Sequence, residues 1–468
     1  MRKKVVLYNP KAVFWTMPLA LIAIGSALDP KEFEVVIVDG RLESYEKLQA
    51  ELKDAICLGI TVLTGAPLND ALEVSRKVKS EFQKIPIIWG GWHSSLFPEM
   101  CAKEKSVDVA VIGQGETIFR ELVKNISENK SLEKIDGICF EKDGQTIKNP
   151  APKVLNINEF PKQNYELIDV PKYYALKNQK QFDYISSQGC RFRCSFCADP
   201  AVYNRNWFGL EPERMIEELE FWWKKHRFDD LAFQDETFFT YGKRVEQIAE
   251  KILERNLKFT WFGTLRADQG RIIDEKIFEL CKKSGLRKVM IGLEAGDKDT
   301  LKFIQKDIKI EDMWFTAEKL IKNKIGAIIN VILGFPNESE KSIRETLRVA
   351  KEMRKMSSDF ELSIFYFKPY PGNAIADLLR LQNYKFPKDL EEWAKFDYIG
   401  SSNEWIDESL KNEIENFKFY QKFAYNKSIN PVRFALKQVS KKRVENNFYN
   451  LPFEKKIIET LKPSVKLS

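Results

Sequence analysis

Gln188-Gly189-Cys190-Arg191-Phe192-Arg193-Cys194-Ser195-Phe196-Cys197-Ala198-Asp199-Pro200 gathers three of the chain's seven cysteines within eight residues, at spacing C-x3-C-x2-C. The stretch directly follows a strand-like run, Tyr184–Ser187. Thiolates held this close repel one another and react readily, so a metal is the usual reason to collect them. A structural zinc ion takes four protein ligands. The nearest further candidate, His226, sits in the charged segment Lys224-Lys225-His226-Arg227. Three thiolates suit a 4Fe–4S cluster that leaves one iron for a ligand outside the protein. A three-thiolate zinc site stays open as the alternative.

The same three cysteines, with aromatic Phe196 before the last of them, resemble the signature of the radical S-adenosylmethionine (SAM) enzymes. The resemblance implies Cys190, Cys194 and Cys197 as cluster ligands and Phe196 as a neighbour of the cofactor. It also implies that the open iron chelates SAM, and that the reduced cluster cleaves SAM to a hydrogen-abstracting 5′-deoxyadenosyl radical.

Outward from the cysteines, residues 179–376 alternate strand and helix. Strands are expected at Tyr184–Ser187, Asp230–Gln234, Lys258–Phe262, Lys288–Leu293, Gly326–Leu333 and Glu361–Phe367. Helical patterns fall between them, from Glu211–Lys225 to Ser339–Lys355. This rhythm resembles the partial (β/α)6, TIM-like barrel of the radical SAM family, whose chemistry gathers at the carboxyl ends of the strands. By that resemblance Asp235 and Glu236 are expected near SAM, although the family's more usual Gly-Gly-Glu is missing here. Arg266 is the candidate for the SAM carboxylate, since a guanidinium pairs with a carboxylate through two bonds. Glu294, in Gly292-Leu293-Glu294-Ala295-Gly296, is placed for the ribose hydroxyls. Tyr370, in Lys368-Pro369-Tyr370-Pro371-Gly372, is the one catalytic candidate; the other reading has it packing the barrel mouth. For each of the charged residues the alternative is a surface or helix-capping role.

On the amino-terminal side, residues 1–135 read as a doubly wound, Rossmann-like α/β domain. Short apolar runs at Val5–Tyr8, Glu34–Val38, Ile56–Thr61, Ile85–Trp89 and Asp108–Ile112 alternate with helical stretches. Such sheets bind ligands beyond the carboxyl ends of their strands, where glycines let backbone approach a large flat molecule. Thr61, Thr64, Gly90, Gly91, His93, Gly113, Gly115 and Glu116 lie in those loops. The order Pro18-Leu19, Asp39, Thr61, Gly90-Gly91-Trp92-His93, then Gly113-Gln114-Gly115-Glu116 resembles the cobalamin-binding domain that precedes many radical SAM barrels. The D-x-H-x-x-G motif of proteins that ligate cobalt from below is absent, so His93 reads as a loop cap or a hydrogen bond to the ligand rim. The uncharged run Ala12–Leu28 mimics a signal peptide, but Asn9-Pro10-Lys11 and Pro18 interrupt it. A strand, a loop and a buried helix are expected there instead. Residues 136–178 form a proline-studded connector with a small hairpin around Lys142-Asp143-Gly144.

Residues 377–468 lose the barrel rhythm and are rich in lysine and aromatics, which suggests a small helical cap. Trp393, Phe396 and Tyr398 are among the aromatics expected to shield the barrel mouth from water. The basic helical pattern at Pro431–Phe448 suits either a solvated face or a peripheral membrane contact that admits a lipid. The net charge of +7 on 468 residues is too small to argue for nucleic acid. The four remaining cysteines read as buried hydrophobes, and an odd count with an oxygen-sensitive motif points to a reducing cytosol.

The expectation is a cobalamin-dependent radical SAM enzyme that uses a 4Fe–4S cluster, SAM and cobalamin. An external donor of flavodoxin or ferredoxin type would reduce it, and its substrate would be a small molecule or lipid. Methyl transfer to an unactivated carbon is the leading outcome by analogy. Cyclisation, ring contraction or C–C bond formation without methyl transfer is the second reading. A cobalamin or Fe–S sensing module without turnover is the third.

Overall fold

The computed structural model describes residues 2–426 and 431–461, so the parts of the expected carboxyl-terminal cap at 427–430 and 462–468 lie outside the described residues. The chain forms two compact units, Met1–Glu236 with Pro369–Tyr398, and Thr237–Lys368 with Ile399–Ser468.

The first unit is built on a seven-stranded sheet of order β2-β1-β3-β4-β5-β6-β7. Its strands are β1 (Lys3–Asn9), β2 (Phe33–Asp39), β3 (Ala55–Thr61), β4 (Ile87–Gly90), β5 (Val109–Val111), β6 (Ile138–Lys142) and β7 (Gln145–Lys148). β1 to β5 pair in parallel, and β6 and β7 add an antiparallel edge. Runs such as Val5-Val6-Leu7 and Val35-Val36-Ile37-Val38 are apolar throughout because both faces of a parallel sheet are covered. One core cluster joins Leu48, Leu72, Val78 and Trp89; the other joins Leu21, Ile118, Phe119 and Leu122. The order of the parallel strands reverses between β1 and β3, which is where open sheets of this kind take ligands.

The apolar run after Lys11 forms a loop and then the helix Leu19–Ser26. The hairpin of the connector does more than expected, since β6 pairs with β5 and extends the sheet. Gly90-Gly91-Trp92-His93, expected as a loop, opens a short helix at Trp92–Leu96.

The same unit contains β8 (Gln181–Tyr184), β9 (Ser187–Gly189), β10 (Trp207–Gly209) and β11 (Asp230–Phe233). β8 and β11 pair in parallel, whereas β9 and β10 form a separate antiparallel ribbon. The expected strand Tyr184–Ser187 is therefore two strands, interrupted at Ile185-Ser186. The ribbon brackets the cysteine segment. Gly189 has φ +81°, and a Cβ there would lie 2.3 Å from the Asn206 carbonyl oxygen. Only glycine fits that position.

Trp393, Phe396 and Tyr398, expected with the carboxyl-terminal cap, fall instead in this first unit, where Trp393 is buried in the core and Phe396 packs against it. The Trp393 ring packs 4.9 Å from Phe97 and 6.1 Å from His93, and its carbonyl accepts the Gly65 N–H at 3.1 Å. Sequence separation hid the contact.

The second unit carries β12 (Thr260–Arg266), β13 (Leu286–Glu294), β14 (Gly326–Leu333) and β15 (Phe360–Tyr366), all parallel neighbours in that order. The helices Glu275–Lys283, Ile310–Lys322 and Glu340–Met356 make the crossovers. The helix Glu408–Ala424 packs on β15 and on the helix Pro431–Glu445, and a further helix, Phe453–Leu461, was not expected.

Candidate functional site

A cavity of about 320 Å3 opens at the carboxyl ends of β3, β4 and β5 within the first unit. Thr61, Gly90, Gly91, Gly113, Gly115 and Glu116 all line it, as do the apolar residues Leu19, Ile24 and Phe119. Gly91 has φ +96° and Gly113 φ +78°, conformations that L side chains rarely adopt. A Cβ at Gly90 would meet only Val111, at 3.8 Å, so open space faces that backbone. These glycines form a cradle of main chain rather than of side chains, which fits a large flat group such as a corrin ring.

Thr64 and His93 are not among the lining residues. His93 is fully buried, its Nδ1 lies 2.9 Å from Thr64 Oγ1, and its ring packs on Phe97 and Trp393. Burial pushes its pKa down to about 3, so the imidazole is neutral. Nε2 has no hydrogen-bond partner among the described residues. The side chain packs inside the fold and does not line the cavity.

Trp92, Gln114 and Gln188 are among the lining residues that the sequence did not single out as site residues. Trp92 packs edge-on against Tyr203, with ring centroids 6.1 Å apart. Gln188 lies at the cavity wall, donating from Nε2 to Glu116 Oε1 at 3.1 Å and accepting from Gln114 Nε2 at 2.7 Å. Gln114 also accepts the Leu155 N–H at 2.7 Å. This chain of amides ties the loop after β5 to the strand that leads into Cys190. Glu116 is buried, which raises its carboxyl above the usual range. Glutamines carry no charge and no spacing signature, so nothing in the sequence marked them.

Cys190, Cys194 and Cys197 are half-buried and none is in a disulfide; the other four cysteines are fully buried. From Cys190 to Ala198 the segment has neither helix nor strand, and a turn bond joins Cys197 N–H to the Cys194 carbonyl at 3.1 Å. No three of the described His, Cys, Asp and Glu side chains stand in a ready-made metal-binding group. The donor set nonetheless fits a cluster. Burial, reinforced by Asp199, pushes the Cys197 thiol well above its ordinary range, so iron would be needed to hold it as a thiolate.

The adjacent acids at the end of β11 differ sharply. Asp235 is buried and accepts from the Ser186 N–H at 2.7 Å and from the Ser186 and Ser187 hydroxyls at 2.6 Å each. Those bonds fix the bend between β8 and β9. Glu236 lines the cavity and accepts the Gly189 N–H at 3.2 Å. Burial, then the neighbouring Asp199 carboxylate, pushes its carboxyl up, which favours a protonated acid at neutral pH. Phe196 is half-buried, and its carbonyl accepts from Asn373 Nδ2 at 3.1 Å. Tyr370 donates its hydroxyl to the Tyr398 carbonyl at 2.6 Å and packs edge-on against Phe396.

In the second unit Arg266 ends β12, with Nε on Asp268 at 2.9 Å and Nη2 on the Lys306 carbonyl at 2.7 Å. Glu294 ends β13 at φ +60°, and its carboxylate pairs with Lys306 Nζ at 2.8 Å in a buried setting. A Cβ on Gly292 would lie 2.1 Å from Glu294 Oε1 and 2.7 Å from Lys306 Nζ, so that glycine makes room for the pair. Lys306 was not expected. It follows Glu294 by 12 residues with a helix between, a separation that no short motif reveals.

Two family descriptions match the chain: the B12 binding domain at residues 7–123 and the radical SAM superfamily at residues 184–350. This chain is a cobalamin-binding radical SAM enzyme. Its cofactors are accordingly cobalamin, SAM and a 4Fe–4S cluster. An uncharacterized methyltransferase of Pyrococcus horikoshii is 29% identical over 393 residues, 82% of either chain. An anaerobic magnesium-protoporphyrin IX monomethyl ester cyclase of a Synechocystis species is 24% identical, over 74% of this enzyme and 70% of the cyclase. The structure of the cobalamin-dependent S-adenosylmethionine radical enzyme OxsB, with aqua-cobalamin and SAM bound, covers 99% of this chain and is itself covered to 75%. The TM-score is 0.76 at 17% identity, a likeness of fold. Among the described residues no helix is long and apolar enough to cross a membrane.

Proposed function

We propose that this enzyme methylates an unactivated carbon of a small-molecule or lipid substrate. The observation that carries the reading is the Gln114–Gln188–Glu116 chain. It joins the cradle of the amino-terminal sheet to the strand entering the cysteine segment, within one compact unit. The bound groups supply hydrogen abstraction and a transferable methyl. The protein's part is to hold and shield them. Cys190, Cys194 and Cys197 are proposed as the cluster ligands, with Phe196 beside them. Thr61, Gly90, Gly91, Gly113, Gly115 and Glu116 are proposed to hold cobalamin, with Thr64 and His93 supporting the loop. Glu236 is proposed as a SAM contact that Asp235 positions through the Ser186 bend. Arg266 for the SAM carboxylate and Glu294 for the ribose rest on the family resemblance, supported by their burial at strand ends. Tyr370 is proposed as a positioning residue, because its hydroxyl is already committed to a backbone carbonyl.

The functional domains proposed are 1–135 for cobalamin, 136–178 as connector, 179–376 as barrel and 377–468 as cap, of which 377–398 packs with the first unit. A reduced flavodoxin or ferredoxin is proposed as electron donor, and the basic helix Pro431–Glu445 as the element that would meet a membrane.

The test is anaerobic turnover of the reconstituted, reduced enzyme with SAM, hydroxocobalamin and candidate substrates, measuring 5′-deoxyadenosine and S-adenosylhomocysteine together. Parallel formation of both is the expected result. The Synechocystis cyclase supports a second reading, radical ring formation without methyl transfer. Deoxyadenosine without S-adenosylhomocysteine would select it.

A further inference from the structure

The described residues 431–461 hold seven Lys and Arg against three Glu, a net +4 in a chain whose whole net charge is +7. Inside this segment four large apolar side chains stand in solvent within ten residues: Phe448, Leu451, Phe453 and Ile457, at 52%, 64%, 60% and 58% exposure. Single exposed apolar residues are ordinary on a protein surface, but a cluster calls for an occupant.

The turn that presents them is fixed from inside. Arg443 is buried, and its guanidinium donates to the carbonyls of Phe448, Asn450 and Leu451 at 3.3, 3.1 and 3.0 Å. It also pairs with Glu454 at 2.8 Å, while Tyr449 turns inward against Phe417. Leu451 sits at φ +51°, a conformation that an ordinary exposed loop would give to glycine or asparagine. A strained backbone that holds an apolar side chain in water points to a use for that side chain. Exposed lysines flank the turn: Lys441 and Lys442 before it, Lys456 after it.

We propose that the turn Phe448–Phe453, continued by Ile457, is a wedge that seats in the surface of an anionic lipid bilayer. The apolar side chains enter the boundary between headgroups and acyl chains, and the lysines meet the anionic headgroups. This rests on the reading of the basic carboxyl-terminal helix as membrane-facing. It deepens that reading by moving the contact from the helix to the turn after it.

The experiment is sedimentation of the full-length protein with vesicles of phosphatidylcholine alone or mixed with phosphatidylglycerol at about 3:1. Binding is expected only to the anionic vesicles and is expected to weaken in about 0.5 M salt. Leu451→Asn suits the left-handed backbone, so its melting temperature should hold or rise while vesicle binding falls about tenfold. Lys441→Gln with Lys442→Gln should weaken binding by a smaller factor. Binding that survives Leu451→Asn but vanishes with the lysine pair would keep the helix reading and overturn the wedge. No binding to either vesicle would overturn both. Self-association abolished by Leu451→Asn, without vesicle binding, would assign the surface to a second copy and overturn the proposal. None of these outcomes depends on SAM turnover.

Discussion

The strand ends of the amino-terminal sheet and those of β12 and β13 solve the same problem by opposite means. After β3, β4 and β5, glycine backbone, apolar side chains and the carboxyls of Glu116 and Glu236 surround an open cavity. After β12 and β13, charged side chains engage one another: Arg266 with Asp268, Glu294 with Lys306. The first surface is made of backbone, tolerant of a change in side chain but not of an added Cβ where φ is positive. The second is made of charge. A ligand there competes with ion pairs already formed. Parallel sheets offer both solutions at their carboxyl edges, and this chain uses one in each compact unit.

The largest effect expected is that of Cys194→Ala. It should abolish the 4Fe–4S spectrum and SAM cleavage while cobalamin binding to the backbone cradle is unchanged. Retention of the full cluster spectrum would remove Cys194 from the ligand set. Loss of cobalamin as well would mean that the cradle is not independent of the cysteine segment.

Glu294→Gln tests the charge-built region. It removes the carboxylate charge that faces the buried Lys306, at a cost of about 3 kcal/mol in denaturant unfolding. Adding Lys306→Met should restore most of that loss, because the cation that Glu294 had faced is then gone as well. If the single substitution is neutral, the pair is not a rigid part of that strand end.

His93→Ala tests the packing inside the first unit and should cost about 2 kcal/mol by opening a cavity beside Phe97 and Trp393. It should leave the spectrum of bound cobalamin unaltered, as the imidazole does not line the cavity. A pH dependence follows too. Burial lowers the folded-state pKa from 6.5 to about 3, so the unfolded chain binds the proton first. The contribution of the neutral ring is complete above pH 6.5 and is lost as pH falls toward 3, at up to about 1.4 kcal/mol per pH unit. The variant should show a shallower acid slope. A shifted cobalamin spectrum in the variant would instead bring His93 to the cofactor.

These residues also show what a sequence reveals and what it hides. The strands β1 to β5 were legible because β-branched runs such as Val35–Val38 recur at regular intervals, and the cysteines because their spacing is local. The features that shape the site are longer in range. Trp393 reaches His93 across 300 positions, an aromatic contact with no pattern along the chain. Ser187-Gln188-Gly189 has no strand composition, and it pairs only because Trp207–Gly209 lies beside it. Asp235 and Glu236 look alike in sequence. Two serines supplied by the preceding strand–turn make one of them a brace, while the other faces the cavity.

The smallest effect expected is that of Tyr370→Phe, and it decides between two readings of one residue. The hydroxyl donates to the Tyr398 carbonyl at 2.6 Å, and burial raises its pKa further above the usual phenol range. A group so held is a poor proton donor to substrate but a good tie between Pro369–Gly372 and the segment at Tyr398. Its loss should cost about 1 kcal/mol of stability, the net worth of one hydrogen bond, and leave turnover within a few-fold of the parent. A fall in turnover of about a hundredfold with unfolding unchanged would reverse the assignment, since only contact with the reacting groups produces that pattern.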